Sequence, residues 1–512
     1  MALLQWKQEN PSDHIYVLFT GIFLAILMKY LLTKSKSCRK LKLPPGPRKF
    51  PIIGNLHHLL DSSSTHLTLH NIGDKYGPIF YLQLGQIPTV VISSARLAEE
   101  IMKTHDLATC SRPRLFSAKY LFFNCAEVAF SPYGVYWRGV RKICTLELLS
   151  AKRVQSFSFI REQEVAHLVS RIVQSYPGTT NLSKIIGLYA NDTICRMALG
   201  RDYSGGGDYD RHGFQSMLED YQELVGGFSI GEFFPSMEFV CTLTGFKSKL
   251  QQTFRRFDKF FDEVIDEHLK NNSQGEKKQK DLVDVLLDIQ KNGSTDVSLT
   301  MDSVKGIIMD MFVAGTDTTF ITLDWGMTEL LMNPRVMQKA QNEVRSILQD
   351  RRVVEESDLP HFQYMQAVIK ETLRLHPPAP VLLPRESTQD LKIDGYDIPA
   401  KTRIYINARK IGRDPISWKN PDTFEPERFI DSGINYKGQN FELIPFGAGR
   451  RKCPGITFGE ANIELALAQL LHSFDWELPH GISPKDLDLK EVFGITMHRI
   501  ENLKVIAKPH FS

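Results

Sequence analysis

"PFGAGRRKCPG", residues 445–455, sets a single cysteine, Cys453, among three glycines, two prolines and three basic side chains. Zinc at Cys453 would need neighbouring His or Cys ligands, and the next downstream histidine, His472, lies well beyond metal-site spacing. A nucleophilic thiol needs a partner histidine and an acid, which folding can bring from anywhere, so spacing leaves that reading open. The glycines at 447 and 449 do not make a dinucleotide loop, because Lys452 stands where GxGxxG requires its third glycine.

The loop suits a thiolate bound at one axial position of a large metal cofactor. Arg450, Arg451 and Lys452 are expected to lower the thiol pKa, as is the start of the helix "GITFGEANIELALAQLL" just downstream. Glycines keep the loop thin enough for a flat ring to lie on it, and Phe446 can cover the sulfur. Heme iron is the natural occupant.

A second unusual segment is "SVKGIIMDMFVAGTDTTFITLDWGMTELLMNP", whose apolar periodicity predicts a helix from about Ser303 until Asn333 and Pro334 end it. At 1.5 Å per residue it spans roughly 45 Å, enough to cross a domain. Its centre is polar: Gly315, Thr316, Asp317, Thr318 and Thr319. A Thr318 hydroxyl bonding back to the Ala314 carbonyl would distort the helix there, and an acid beside an alcohol would make a proton relay. A kinked core helix with satisfied hydroxyls explains the same residues.

"KETLRLHPP" puts Glu371 and Arg374 three apart on one helical face. On a surface this is an ordinary solvated bridge; if buried, both charges need a further partner. Arg428 of "FEPERF" is the candidate third member.

The 512 residues are 42% apolar and 24% charged, enough to bury a sizeable core, and length alone suggests two or more domains. With 62 basic against 59 acidic side chains, charge offers no support for a nucleic-acid partner. Seven widely spaced cysteines with no CxxC argue against a disulfide framework, so all but Cys453 read as small buried apolar residues.

The run "IYVLFTGIFLAILMKYLL", residues 15–32, is long enough to cross a bilayer, with Lys29 near one end where it can snorkel. A cleaved signal peptide would carry its charge before the run and a small-residue cleavage site after it; neither is present. The basic flank "TKSKSCRKLK" follows the run, which places the body in the cytosol. The reading is an N-terminal membrane anchor (1–33), a basic and proline-rich hinge (34–51) ending in "LPPGPRKFP", and a catalytic domain (52–512).

In the body, helical periodicity dominates, as in "FRRFDKFFDEVIDEHL" and "YMQAVIKETLRL". Strand-like alternation is confined to "IFYLQLG" with "TVVIS" and "LKIDGYDIPA" with "TRIYINA". The fold class expected is mainly α with small β-sheets (α+β). "NNSQGEKKQKD", from Asn271 to Asp281, reads as an exposed connection.

Taken together, the loop resembles the cysteine-ligand signature FxxGxRxCxG of the cytochrome P450 superfamily, matched by Phe446, Gly449, Arg451, Cys453 and Gly455. "AGTDTT", the ExxR pair, "PERF" and an anchor followed by "PPGP" are similar to family motifs in the same order, and the style is similar to the plant A-type clan. One departure is "INARKIGRDP", where Arg409 and Lys410 stand in place of the clan's common aromatic residue.

The resemblance implies the cytochrome P450 fold with an N-terminal transmembrane helix. It implies a heme b ligated by the Cys453 thiolate, a proton relay through Thr318 and Asp317, and a structural triad of Glu371, Arg374 and Arg428 behind the heme. Trp137, Arg141, Arg385 and Arg451 would hold the heme propionates. The activity implied is a monooxygenase on the cytosolic side of the endoplasmic reticulum membrane, using dioxygen and electrons from NADPH through NADPH-cytochrome P450 reductase. Arg138, Lys142, Lys152 and Arg153, with the basic residues near Cys453, would greet that reductase. The substrate expected is a lipophilic terpenoid, alkaloid or phenolic, contacted by "LFSAKYLFFNCAEVAF", Met309 to Ala314, "APVLLP" and "VFGIT". Two alternatives are a heme-thiolate isomerase or dehydratase, which would not need Asp317 and Thr318, and a non-catalytic heme sensor or carrier.

Overall fold

Two antiparallel strands, β1 (Ile79–Leu84) and β2 (Ile87–Ile92), form where "IFYLQLG" and "TVVIS" alternate, with Ile79 opposite Ile92. The computed structural model describes residues 41–60, 64–201, 211–226, 229–272, 280–293, 297–492 and 494–511. The anchor expected at 1–33 and Cys38 lie outside the described residues. Leu43–Ser512 is one compact unit, and the described part of the proline-rich stretch belongs to it. The Pro45 carbonyl accepts from Tyr81 N–H at 2.7 Å, and a Cβ on Gly46 would come within 2.1 Å of the Tyr81 carbonyl. The stretch at Pro45 and Gly46 therefore packs against β1.

After helix α1 (Val135–Ile143), a short strand β3 (Thr180–Asn181) leads into α2 (Leu182–Leu199), followed by α3 (Arg211–Gly226). Helix α4 (Met301–Met332) is the central element. It starts two residues before the expected Ser303 because Thr300 caps it: the Thr300 hydroxyl accepts from Ser303 N–H at 3.2 Å. It ends where expected, at Asn333, with Pro334 opening the next helix. It is apolar around most of its circumference, as a helix packed on all sides must be. Among the described residues it alone is apolar and long enough to cross a membrane, yet it is buried in the core.

The first half of α4 packs into one apolar cluster through Ile307, Ile308 and Phe312, and its second half into another through Leu323, Met327 and Leu330. The polar centre lies where the two clusters part. No break occurs there: α4 is continuous, and Thr318 Oγ1 donates to the Ala314 carbonyl at 2.7 Å without opening the helix. Gly315 is small because α2 is close; a Cβ there would stand 3.0 Å from Ile194 Cδ1.

Helix α5 (Gln363–Leu375) carries the ExxR pair. Strand β4 (Arg385–Glu386), the hairpin of β5 (Leu391–Ile393) and β6 (Tyr396–Ile398), and β7 (Arg403–Ile406) follow. Asp394 and Gly395, at φ 50° and 75°, make the two-residue turn that "DG" favours. The main sheet has the order β1-β2-β7-β4, with β7 parallel to β2. Helix α6 (Ile456–Ser473) leaves the cysteine loop. The chain closes with β8 (Phe474–Glu477), the hairpin of β9 (Glu491–Val492) and β10 (His498–Arg499), and β11 (Lys504–Pro509). The result is mainly helical with small sheets, as expected.

Candidate active site

The Cys453 loop is folded by its own backbone. Gly447 and Gly449 both adopt positive φ, 65° and 67°, and a Cβ on Gly449 would lie 2.3 Å from the Met102 carbonyl. Cys453 N–H donates to the Phe446 carbonyl at 2.9 Å, and Gly455 N–H donates to Cys453 Sγ at 3.3 Å. Burial nonetheless pushes the thiol above its ordinary pKa, against the Gly455 N–H and the charges of Arg141 and Lys452.

This corrects the expectation that Arg450, Arg451 and Lys452 act together on the sulfur. Arg450 turns outward to Asp106, at 3.0 Å. Arg451 donates to the carbonyls of Cys110, Val128 and Ser131 at 2.7, 3.1 and 2.6 Å, with its guanidinium 4.1 Å from the Trp137 ring. The Trp137 N–H, expected to meet a propionate, goes to the Val128 carbonyl at 3.0 Å. Arg141 donates to the Lys452 carbonyl at 2.5 Å, which ties α1 to the loop. Arg385 bridges Asp106 and the Ala448 carbonyl at 2.8 and 2.9 Å.

A cavity of about 300 Å³ opens above the loop. Phe446, Gly447, Cys453 and Gly455 line it from below, and Ala314, Gly315, Asp317, Thr318 and Thr319 line its α4 side. Ala314 is exposed although it lies mid-way along a buried helix, so its surface faces this space. The lining elsewhere is mostly apolar: Phe122, Val128 and Phe130, Ala379, Leu382 and Leu383, and Ile495, drawn from each segment expected to contact substrate. Phe493 lies outside the described residues.

Of the expected site residues, Cys453, Phe446, Arg451, Trp137, Arg141, Arg385, Thr318 and Asp317 all meet this cavity. Gly449, Glu371, Arg374 and Arg428 do not line it. Gly449 shapes the loop from behind. The other three form the expected triad: Arg374 donates to both Glu371 oxygens at 2.7 and 2.8 Å, and Arg428 Nε to Oε1 at 3.0 Å. Arg374 also reaches the carbonyls of Gly412, Pro421 and Thr423, so the triad pins the loop before "PERF".

Arg409 and Lys410 are accommodated without an aromatic ring. Lys410 pairs with Asp74, and Arg409 is half-buried near Glu491.

Several site residues carry no signal in the sequence. Arg112 is buried, donates to the carbonyls of Ala129, Leu383 and Pro384, and is held well below its ordinary pKa by burial and then by Arg451 and Arg385. Burial likewise brings Arg451 down to about 10, with Arg385 and Arg141 adding to the effect. Asp106 joins Arg385 to the loop, accepting from Arg450 N–H at 2.9 Å. Asp310 Oδ2 accepts from Val128 and Ala129 N–H at 2.7 and 3.2 Å.

The family model for cytochrome P450 matches residues 44–504. The chain belongs to the cytochrome P450 family. This P450 is 66% identical to cytochrome P450 71AP13 of Prunus mume, over 100% of this chain and 98% of that protein. It is 44% identical to a phenylacetaldehyde oxime monooxygenase of Prunus mume, over 98% and 97% of the two chains. A solved zebra fish cytochrome P450 with abiraterone superposes with a TM-score of 0.75 at 25% identity, covering 88% of this P450 and 100% of that chain. The family is one of monooxygenases, and its heme-thiolate cofactor fits the residues present. The cavity offers a half-buried cysteine whose thiol is held above its ordinary pKa, and a cationic metal is what would draw it to thiolate. It also offers buried guanidiniums that repel one another, a surplus of charge that the two heme carboxylates would relieve.

Proposed function

We propose that this P450 is an endoplasmic reticulum monooxygenase that adds one oxygen atom to a lipophilic plant specialised metabolite. Its electrons come from NADPH through cytochrome P450 reductase. The observation that supports the reading is one cavity lined together by Cys453, Thr318 and mostly apolar side chains.

When bound, the heme would supply a thiolate-ligated iron centre that activates dioxygen. Cys453 is the residue to ligate it. Arg112, Arg141, Arg385 and Arg451 would neutralise its carboxylates, exchanging some backbone carbonyls for charged partners. Thr318, released from the Ala314 carbonyl, holds a proton at its Oγ1 next to the reacting space, and Asp317 replenishes it. The apolar lining excludes bulk water and favours a terpenoid, alkaloid or phenolic body. Arg138, Lys142, Lys152 and Arg450 are exposed and suit an acidic reductase. The anchor at 1–33 keeps the enzyme beside that membrane-bound partner.

The test has two parts. The reduced enzyme with carbon monoxide should give the strongly red-shifted band of a thiolate-ligated heme; a folded, heme-loaded protein without it overturns the reading. Microsomes with reductase should then convert some member of a panel of terpenoids, alkaloids, phenolics and aromatic oximes to a product heavier by one oxygen. The oximes are included because of the oxime monooxygenase relative.

A further inference from the structure

The Asp317 carboxylate does not hang free in the cavity. Gln222 Nε2 of α3 donates to its Oδ2 at 2.8 Å, and the Thr496 hydroxyl donates to the same oxygen. His498 Nε2, on β10, lies 2.9 Å from Oδ1. The acid on α4 is therefore held by the two elements that close the cavity above it, α3 and the last hairpin. His498 packs against the Phe320 ring at 5.5 Å between centroids. Its side chain is 27% exposed against 14% for Asp317, and it does not line the cavity, so its open edge faces outward.

We infer that His498 is the positioning residue that connects Asp317 to solvent protons, so that the relay to Thr318 is refilled from the outer side of the hairpin. The inference rests on the relay reading of Asp317 and Thr318 given above. In the step, the N–H bond at His498 Nε2 breaks and an O–H bond forms at Asp317 Oδ1. The bonding pair stays on nitrogen, and the neutral ring takes a proton back from a solvent water, whose hydroxide passes into bulk solution. Nothing is oxidised or reduced in this transfer; monooxygenation consumes the protons delivered.

The surroundings fit a ring that is charged near neutrality. Asp317 and Asp324 face His498 from α4. On its own strand, Arg499 is drawn to Asp324 at 3.7 Å, and across the hairpin Glu491 is held by His66 at 2.7 Å. Burial lowers the His498 pKa, but Asp317 and then Asp324 outweigh it and hold the ring above its ordinary 6.5.

The experiment uses full-length, heme-loaded enzyme with reductase in vesicles and no added organic substrate. Peroxide released per NADPH consumed is measured from about pH 6 to 9. In the wild type this ratio should rise as pH passes upward through the His498 pKa. His498→Gln keeps an N–H toward Asp317 but does not titrate, so its ratio should be severalfold higher near neutrality and flat with pH. A second readout is thermal unfolding. The wild type should melt above His498→Gln at the acid end, and the difference should vanish as pH rises through the folded pKa, because a raised histidine stabilises only while protonated. A melting difference with identical peroxide ratios would make His498 structural and overturn the inference. If His498→Gln does not fold, a wild-type ratio that is flat with pH, or one whose inflection survives in Asp317→Asn, overturns it equally. Thr318→Ala separates the two readings: raised peroxide there with an unchanged His498→Gln sinks only this inference, whereas an unchanged Thr318→Ala sinks the relay itself.

Discussion

Glu371 has no exposed side-chain surface and balances two guanidiniums, those of Arg374 and Arg428. Removing one member of a buried charged set costs more than the set itself contributes, because the remaining ions lose solvation without compensation. Glu371→Gln should therefore destabilise the fold by about 3–5 kcal/mol. Chemical denaturation monitored by circular dichroism would read that loss; a change below about 1 kcal/mol would mean that the backbone carbonyls around Arg374 suffice. Cys453 is the opposite case, a residue whose worth on the proposed function is chemical. Cys453→Ser should leave secondary structure intact and abolish both the red-shifted carbon monoxide band and turnover. A variant that keeps the band would reassign the ligand. The ExxR spacing was readable because i and i+3 share a helix face, and Arg428 of "FEPERF", the candidate third member in the sequence, completes the triad from 57 residues away.

At the scale of elements, the cysteine loop is held in shape by glycine more than by charge. Gly449→Ala meets both a left-handed backbone angle and a carbonyl 2.3 Å from its new Cβ. It should cost about 1–3 kcal/mol in thermal or denaturant unfolding and broaden the carbon monoxide band as the sulfur shifts. A variant as stable as wild type, with an unchanged band, would show that the loop relaxes freely. Helix α4 teaches a related lesson. Its polar centre reads from sequence as a place of distortion. The helix stays continuous although Thr318 bonds back to Ala314, and Ile194 of α2 packs where Gly315 leaves room.

At the scale of the molecule, a buried acid, Glu127, and a half-buried one, Asp310, lie between the loop before α1 and helix α4. Burial holds the Asp310 carboxyl at about 7, against the N–H groups of Val128 and Ala129. Glu127 is held well above its ordinary value, by burial and then by Asp310. A raised carboxyl pKa means that the fold binds a proton the unfolded chain has released. Its stability contribution is complete below the unfolded value and is lost as pH rises to about 7. Asp310→Asn keeps an oxygen for the two N–H groups and removes the titration. Its melting temperature should gain on wild type from about pH 4 to 7 and level off above; a pH-independent margin would exclude Asp310 as the titrating group.

The sequence by itself determined what contiguous residues can encode. A thin loop around Cys453, a long helix with Asp317 and Thr318 at its centre, and a Glu371–Arg374 pair on one face all follow from local spacing. Together these carried the family. Tertiary structure decided the partners. Arg451 turns to carbonyls and Trp137, Asp106 links Arg385 to the loop, and His498 takes Asp317, each across separations of 100 residues or more in sequence. It also reversed a sign, since the cations beside Cys453 look sufficient to ionise it until burial is counted. The physical reason is the same in each case. Hydrogen-bond geometry and desolvation depend on what packs against a group, and spacing along the chain holds no record of that.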